Sequence, residues 1–489
     1  MTPREPIDEG AVSARQSRPL PLRVADNFVV ALFFVPIALS AMPLGAVRDW
    51  AWAPMAVAMG IVAALVALGF GAVSGFDVAE RERRPLLVLI ACFGVFVAFA
   101  FLQMSSLAPA SGSAWLYAAA LRILGRAHAA VPDLAIDAAR NTLLRCVTCA
   151  LIFLMARAIC RDRRHARMLL LLLVASAVVV VAYAFLMHMT TGSCYAGSYL
   201  KRHGPYSPGV RCLMSGTFVN SNSFACYVGM GILSALALIL GGRGGEPSPD
   251  DDGYNVGTFA SLLTGPRVVL VVIVFFFLGG LLLSASRGGF AATVAGGLAL
   301  VLLLMRGRWS DRPDLVRWFW IGMAILFVVG VIAGSAMLVK VVNASDSTSR
   351  VEIWLTSIKA IALSPWLGWG LGSFADIFTV LQPSSIIQPN NLAHSTPLEA
   401  IVELGVIGAI PAFAVVLLPW WVSLRGTFTR SYRNRVLPAA AFAIATVPIL
   451  HSTVDFSLQI PAIGYVVSAV LGMGWAQAFR RESSTRRRR

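Results

Sequence analysis

The sequence predicts an all-α, polytopic membrane protein with about twelve transmembrane helices. Hydrophobic residues make up 57% of the 489 residues and charged residues 13%, and the mean hydropathy is +0.75. Runs of about 20 apolar residues, long enough to cross a bilayer as a helix, recur along the whole chain. A water-soluble fold cannot cover so much apolar surface. A soluble enzyme, a secreted disulfide scaffold and a disordered chain are therefore excluded.

Twelve apolar segments are predicted to span the membrane. They are residues 26–46, 51–74, 86–103, 141–160, 168–189, 219–241, 267–284, 290–305, 317–338, 398–421, 437–450 and 458–479. Residues 1–25 form a polar tail without a signal-peptide pattern, and residues 480–489 form a basic tail. Spans one to nine thus occupy residues 26–338 and spans ten to twelve residues 398–479, with a long loop at 339–397 between them.

The distribution of basic residues predicts that both tails are cytoplasmic. With this orientation, the inner segments hold more than twice as many Lys and Arg residues as the outer loops. The net charge of +16 is therefore interpreted as topology, and membrane lipids, not nucleic acid, are the expected surroundings. In span four, Arg157 lies near the inner end and is expected to snorkel, whereas Arg145 lies near the outer end and is a candidate to face the bundle.

Sequence motifs for a metal or a cofactor are missing from the chain. The seven Cys residues show neither CxxC nor Cys/His spacing, the outer loops hold no carboxylate cluster, and no nucleotide-binding motif occurs. We therefore expect chemistry without metal or cofactor. Cys194 and Cys212 share one outer loop, and whether they form a disulfide is left open.

The long outer loop is predicted to contain a helix lying on the membrane surface. Residues 349–352 fit the S-x-x-E capping box, which places Arg350 in the first helical turn. Apolar residues then share one helical face; they are Val351, Trp354, Leu355, Ile358 and Ile361. Pro365 ends this helix, and the Gly-rich residues 367–372 are expected to form a turn or a re-entrant segment. A simple membrane-surface lid is the alternative interpretation.

His394 lies just before span ten. Residues 396–399 (Thr-Pro-Leu-Glu) fit a second capping box and are predicted to begin this span, with Pro397 in the first helical position. The positive end of a helix favours phosphate binding. A His in this position can also take up a proton near neutral pH, so His394 is a candidate general base. A His that only caps the helix is an equally compatible interpretation.

Arg287 lies at the predicted outer turn between spans seven and eight. An Arg so close to the hydrocarbon is costly unless it has an anionic partner, which could be a diphosphate or a lipid phosphate. Arg211 lies in a basic outer loop, where contact with lipid headgroups is expected. Asn220 and Asn222 begin span six, where helix capping is their default role.

Several motifs resemble one family of bacterial membrane proteins. His394-Ser395, nine residues, Gly405, two residues and Gly408 are similar to the H-[NSQ]-x9-G-x2-[GTY] signature of the O-antigen ligases. The runs 350–354 and 364–370 resemble the large periplasmic loop of the O-antigen ligase/polymerase superfamily. Residues 286–288 resemble its short Arg-bearing turn, and residues 216–222 its segment before the sixth span. The resemblance covers roughly residues 210–460 and includes His451-Ser452-x-x-Asp455, to which no role beyond capping is assigned.

The resemblance implies a GT-C-like membrane glycosyltransferase of the bacterial inner membrane with a periplasmic active face. Such proteins transfer a glycan from undecaprenyl diphosphate to an acceptor hydroxyl, which in the ligases belongs to lipid A-core. By resemblance, His394 would deprotonate the acceptor and Arg287 and Arg350 would hold the diphosphate. The candidate substrate-binding residues further include Arg211, Asn220 and Asn222.

Two alternatives remain open at this point. An O-antigen or exopolysaccharide polymerase would use the same donor and transfer the glycan to another lipid-linked repeat. A lipid-linked oligosaccharide flippase or transporter would also need many spans. The few charged residues within the spans argue against a transporter, because a transport path needs polar groups near the membrane midplane.

Overall fold

The computed structural model describes residues 20–68, 78–105, 135–191, 213–241, 266–306, 345–386 and 390–480, which form thirteen α-helices. The helices are α1 (Leu20–Leu39), α2 (Asp49–Ala67), α3 (Glu80–Gln103), α4 (Ile136–Ile159), α5 (Arg163–Thr191), α6 (Ser221–Leu240), α7 (Pro266–Leu283), α8 (Arg287–Met305), α9 (Ser345–Leu363), α10 (Phe374–Leu381), α11 (Thr396–Thr429), α12 (Tyr432–His451) and α13 (Pro461–Phe479). Short 3-10 turns lie at Leu44–Ala46 and Ser457–Gln459.

The helices agree with the predicted spans wherever the chain is described. Nine of them are long and apolar enough to cross a membrane, and the apolar parts of α1 and α7 are shorter. The all-helical prediction is thus confirmed for this part of the chain, and the nine long apolar helices are consistent with a polytopic membrane protein. Predicted span 317–338 lies outside the described residues, so the total of twelve stays a prediction.

Three helices form the centre of the bundle. The apolar stretches of α13, α6 and α12 are 89%, 83% and 78% buried, whereas that of α3 is 22% buried. Large apolar side chains on α3, such as Leu87 and Ile90, are exposed. In a bilayer this surface contacts lipid, because lipid tails solvate it as well as another helix would.

Small residues let the central helices approach closely. A Cβ atom on Gly472 of α13 would lie 2.8 Å from Cβ of Ala156 and 3.0 Å from the backbone nitrogen of Arg157, both on α4. The close contact between these helices therefore requires a residue without a side chain at this position, which is the usual basis of helix packing in membranes.

Arg157 does not snorkel, which corrects the sequence prediction. Its Nε atom donates to Oε1 of Glu82 on α3 at 2.6 Å, and the two side chains are 2% and 1% exposed. Arg161 and Trp475 also donate to the Glu82 carboxylate, at 2.9 and 3.0 Å. The prediction failed because snorkelling assumes an unpaired charge, and the partner lies 75 residues earlier in the chain. We call these residues the Glu82 cluster.

Arg145 does face the bundle. Its Nη2 atom lies 3.5 Å from Oδ1 of Asp49 at the start of α2, and its guanidinium lies over the Trp52 ring at 5.0 Å from the ring centroid.

Both predicted capping boxes are wrong in detail. Helix α9 begins at Ser345 and not at Ser349, so Arg350 lies in the second turn. Helix α11 is capped by Ser395, without a side-chain hydrogen bond, and Pro397 is its second residue. The Thr396 hydroxyl instead donates to the Asp455 carbonyl at 3.4 Å. At α11, a contact with a distant residue thus replaces the local cap that the motif predicts.

Candidate functional site

The site lies at the end of the bundle where α8, α11 and α13 begin and α12 ends. The Thr396 backbone N–H donates to the Ser452 carbonyl at 2.8 Å, which joins the start of α11 to the turn after α12. Gly288, in the first turn of α8, lies against the ring of His451. We call this end of the bundle, from His394 to the first turn of α8, the site end. The Glu82 cluster involves the opposite end of α13.

His394 is held beside a buried carboxylate. Its Nδ1 atom lies 3.7 Å from Oδ1 of Asp455, and the two side chains are 25% and 1% exposed. The imidazole also packs edge-on against Phe456, with the ring centroids 5.1 Å apart. The distance is that of an ion pair and is longer than a direct hydrogen bond. One nitrogen of the His394 ring thus faces Asp455, and part of the His394 side chain remains accessible to solvent.

Asp455 is prepared to carry a negative charge. Burial favours the neutral carboxyl, but the interaction with His394, the hydrogen bond from the Phe456 N–H and the nearby His451 outweigh it, so the pKa of Asp455 is lowered from its ordinary value of 3.8. The Phe456 N–H donates to Oδ1 at 2.8 Å. A carboxylate in this state stabilises a positive charge on the neighbouring imidazole.

The backbone at His394 is constrained from both sides. The φ angle of His394 is 51°, which is uncommon for a residue with a side chain. The Ala393 N–H donates to the buried Glu399 carboxylate at 2.8 Å, and the Ala393 carbonyl accepts from Nε1 of Trp354 on α9 at 3.1 Å. Such a conformation persists only where the surroundings enforce it, and here they aim the imidazole at Asp455.

Arg287 is the first residue of α8, and its side chain is exposed. Ser286 caps the helix, because its Oγ atom accepts from the Gly289 N–H at 3.2 Å. The structure therefore places the Arg287 guanidinium at a helix N-terminus at the site end, where the helix dipole adds to its positive charge.

Arg350 lies on the side of α9 that faces the His394 segment. It is one helical turn before Trp354, which hydrogen-bonds to Ala393, and residues four apart share a helical face. The positive charge of Arg350 also acts electrostatically on His451. The correction to the start of α9 therefore leaves Arg350 at the predicted site.

The apolar residues of α9 divide differently from the prediction. Val351, Leu355 and Ile358 are exposed, as expected for a face that lies on a membrane surface. Trp354 and Ile361 are half-buried, and the buried side consists of Ile353 and the smaller Thr356, Ser357 and Ala360. The placement on the outer leaflet stays a prediction.

The Gly-rich segment after α9 is inserted into a break in α11. Helix α11 is interrupted at Gly405, where φ is 61° and ψ is −178°. The N–H groups of Trp369 and Gly370 donate to the carbonyls of Val402 and Glu403 at 3.0 and 2.9 Å, and the Val406 N–H donates to Pro365 at 2.9 Å. Backbone groups that the break frees are thus paired, as they must be at membrane depth.

The glycines of the signature motif have a structural reason. A Cβ atom on Gly405 would overlap the Trp366 carbonyl, and one on Gly368 would overlap the Glu403 carbonyl. A Cβ atom on Gly408 would lie 2.5 Å from the Phe99 ring. In the signature, the spacing from His394 to Gly405 sets the length of α11 before its break, and Gly368 belongs to the inserted segment that packs there.

The other predicted substrate-binding residues are only partly placed. Asn220 caps α6, with its Oδ1 atom accepting from the Asn222 N–H at 2.7 Å, which agrees with its default role. Their contact with a substrate stays a prediction. Arg211 lies outside the described residues, as do Cys194 and Cys212.

Asp455 and His451 are the residues to which sequence reasoning gave no role. Both belong to the run His451-Ser452-x-x-Asp455. The motif is visible in the sequence, but its contact with His394 spans 61 residues of chain and cannot be derived from spacing. The site combines two Arg side chains and a His that is paired with a carboxylate. Such a set of groups is suited to deprotonating a hydroxyl beside a bound anion.

Comparison with protein-family models gives a match over part of the chain. Residues 272–413 match a family model described as "O-Antigen ligase". This segment includes Arg287, Arg350 and His394 and ends before His451 and Asp455. No curated protein matches the chain.

Proposed function

The match assigns residues 272–413 to the O-antigen ligase/polymerase superfamily, and from this premise we propose that the protein is an inner-membrane O-antigen ligase. In this proposal it transfers a glycan from undecaprenyl diphosphate to a hydroxyl of lipid A-core, with its site end on the periplasmic face. The products are the glycosylated acceptor and undecaprenyl diphosphate. The reaction completes lipopolysaccharide.

The donor diphosphate binds between Arg287 and Arg350 in this proposal. Both guanidinium groups belong to the site end, one at the start of α8 and one in the second turn of α9. Guanidinium groups bind phosphate oxygens in a forked geometry and keep their charge at any physiological pH. They also stabilise the negative charge that develops on the diphosphate as it leaves.

The acceptor hydroxyl is activated by His394. As the acceptor oxygen forms its bond to the anomeric carbon, the bond from that carbon to the diphosphate oxygen breaks, and the acceptor proton moves to the imidazole. Asp455 stabilises the resulting imidazolium. Attack from the face opposite the diphosphate inverts the anomeric centre. General-base assistance of this kind contributes about 10²- to 10⁴-fold to a rate.

The pairing of His394 with buried Asp455 is the observation that carries the proposal. A His that only capped α11 would not need a carboxylate 3.7 Å from Nδ1, and the N-cap position is occupied by Ser395. A His beside an ionised carboxylate, with part of its side chain open to solvent, is the arrangement of a general base held in one orientation.

Reconstitution of the purified protein tests the proposal. The protein in lipid nanodiscs is incubated with an undecaprenyl-diphosphate-linked glycan and lipid A-core, and products are resolved on a gel and by mass spectrometry. The proposal expects glycan on lipid A-core, released undecaprenyl diphosphate and an inverted linkage. Arg287→Ala and Arg350→Ala should weaken donor use, and full activity in both variants would contradict the diphosphate assignment.

The same assay separates the alternatives. A polymerase would extend the lipid-linked glycan when lipid A-core is omitted and would leave lipid A-core unmodified. A flippase would leave the donor intact, and in vesicles it would only move it between leaflets. Either result would overturn the ligase assignment.

A further inference from the structure

His451 is a buried histidine at the site end that the proposed reaction does not use. It is the last residue of α12 and is 2% exposed. It lies four residues before Asp455, in the same turn that positions His394. A histidine in the interior of a membrane bundle is expensive to keep unless it has a function or a set of partners.

One nitrogen of the His451 ring is fixed by a serine. Nδ1 of His451 and Oγ of Ser457 are 2.6 Å apart, and Ser457 is fully buried. When the Ser457 hydroxyl donates to Nδ1, the single proton of a neutral imidazole is on Nε2.

The opposite edge of the His451 ring faces the start of α8. A Cβ atom on Gly288 would lie 2.8 Å from Cδ2 and 3.1 Å from Nε2 of His451. The residue before Gly288 is Arg287, and the positive charge of Arg350 acts electrostatically on this ring. The Nε2 edge of the His451 ring is thus directed toward the first turn of α8, which carries Arg287.

Gly288 makes this approach possible. A side chain there would separate the ring from the backbone of the first turn, whereas glycine leaves the edge of the imidazole in contact with it. A group that binds to the N-terminus of α8, where backbone N–H groups point outward, therefore comes within reach of the His451 edge as well.

We propose that His451 is a third diphosphate-binding residue, whose Nε2–H donates a hydrogen bond to an oxygen of the diphosphate held by Arg287 and Arg350. This inference rests on the proposed function. The neutral ring adds a directed donor without a third positive charge, and Ser457 keeps the donor pointed at α8. Of the two histidines, His394 then serves the acceptor and His451 the leaving group.

Two substitutions at His451 separate binding from structure. His451→Asn keeps an amide near the position of Nδ1, where it can still contact Ser457, but removes the donor at Nε2. His451→Gln places an amide near Nε2 and gives up the contact with Ser457. If the ring binds the diphosphate, His451→Gln should preserve binding better than His451→Asn. If the ring only supports the fold, His451→Asn should be the better tolerated of the two.

The probe is inorganic pyrophosphate, whose binding to full-length protein in nanodiscs is measured by calorimetry. We expect His451→Asn to weaken binding about tenfold, in line with a lost hydrogen bond to a charged group, and His451→Gln to stay within about threefold of the unmodified protein. Arg287→Ala should weaken binding at least as much. Thr453→Ala, an exposed position on the same turn, is the matched control and should bind normally.

The outcomes distinguish the inference from the proposed function. The role proposed for His451 is wrong if Arg287→Ala weakens pyrophosphate binding and His451→Asn does not. It is also wrong if His451→Gln weakens binding as much as His451→Asn. In both cases the proposed function stands. If the unmodified protein does not bind pyrophosphate, or Arg287→Ala has no effect, the proposed diphosphate site itself is wrong.

A measurement on the unmodified chain covers the case in which both variants fail to fold. Protein labelled with ¹⁵N-histidine is titrated with pyrophosphate and followed by solid-state NMR. The inference expects one buried neutral histidine with its proton on Nε2, whose Nε2 signal shifts on titration. An unchanged signal from that histidine would contradict it.

Discussion

The two ends of the bundle both hold charged side chains, but they pair them differently. At the Glu82 cluster, Arg157 and Glu82 are almost fully buried and 2.6 Å apart, and Arg161 and Trp475 complete the carboxylate's hydrogen bonds. At the site end, His394 is 25% exposed and 3.7 Å from Asp455, and Arg287 is exposed.

This difference shows how one bundle separates support from chemistry. A buried ion pair whose carboxylate accepts from three donors is costly to open, so it fixes the positions of helices. A longer contact with partial exposure lets the imidazole accept a proton or a substrate without breaking the fold. The distance and exposure of a pair, more than the residue types in it, therefore indicate which end is functional.

The largest expected effect is at the Glu82 cluster. Glu82→Gln leaves Arg157 buried without an anionic partner, which should cost about 3–5 kcal/mol of stability. Thermal unfolding in detergent and the yield of folded protein measure the loss. Asp137→Asn is the control, because the Arg140–Asp137 pair is exposed and should contribute little. An unchanged melting temperature for Glu82→Gln would mean that this end does not support the bundle.

The next effect is at the break in α11. Gly405→Ala forces a side chain into a positive-φ position against the Trp366 carbonyl. This should lower the free energy of unfolding by about 1–3 kcal/mol and displace the His394 segment. Gly94→Ala in α3, where a Cβ meets no atom within 4 Å, is the matched control and should be tolerated. Melting temperature and transfer activity are compared. Equal behaviour of the two variants would show that the inserted segment is not required.

A smaller effect on stability, with a larger one on activity, is expected at Asp455. Asp455→Asn keeps the size of the side chain but removes its charge, so the transfer rate should fall by about 10²-fold because the imidazolium loses its partner. Assays at saturating donor and acceptor measure this loss. A rate within about twofold of the unmodified protein would exclude Asp455 as the partner of His394.

The same variant has a predicted pH dependence. The pKa of Asp455 is lowered in the folded protein, so its carboxylate stabilises the fold above the ordinary value of 3.8, and this stabilisation is lost as the pH falls through the lowered value. The difference in melting temperature between the unmodified protein and Asp455→Asn should therefore be largest at neutral pH and shrink in acid. A constant difference would contradict an ionised Asp455.

The smallest effect is expected on the exposed face of α9. Leu355→Ser should change the stability of the detergent-solubilised protein by no more than about 0.5 kcal/mol. Ile353→Ser, on the buried side of the same helix, should destabilise it clearly. The pair of melting temperatures tests which face of α9 packs against the bundle, and a reversed order would refute the assignment.

Hydrophobicity was sufficient to predict the fold in the described residues. Each apolar run there forms a helix, because a chain in a bilayer must pair its backbone groups internally. The ends of helices were less predictable. Thr396 fits a local cap, yet its hydroxyl bonds to Asp455, and such a competing tertiary partner is not visible in a four-residue motif.

The candidate site was predicted in part. His394, Arg287 and Arg350 came from their positions beside helix starts and from the resemblance, and the structure brings all three to one end of the bundle. Asp455 and His451 were noted without a role, because their contacts depend on how α12 packs against α8 and α11. For the same reason Glu82 was missed as the partner of Arg157, since long-range pairing follows from packing and not from spacing.

The most direct test of the central claim is the rate of glycan transfer by purified His394→Ala, compared with the unmodified protein in the same nanodiscs. The account predicts a fall of about 10²- to 10⁴-fold in a protein that still folds, with unchanged pyrophosphate binding. Full transfer activity in a normally folded His394→Ala protein would contradict it.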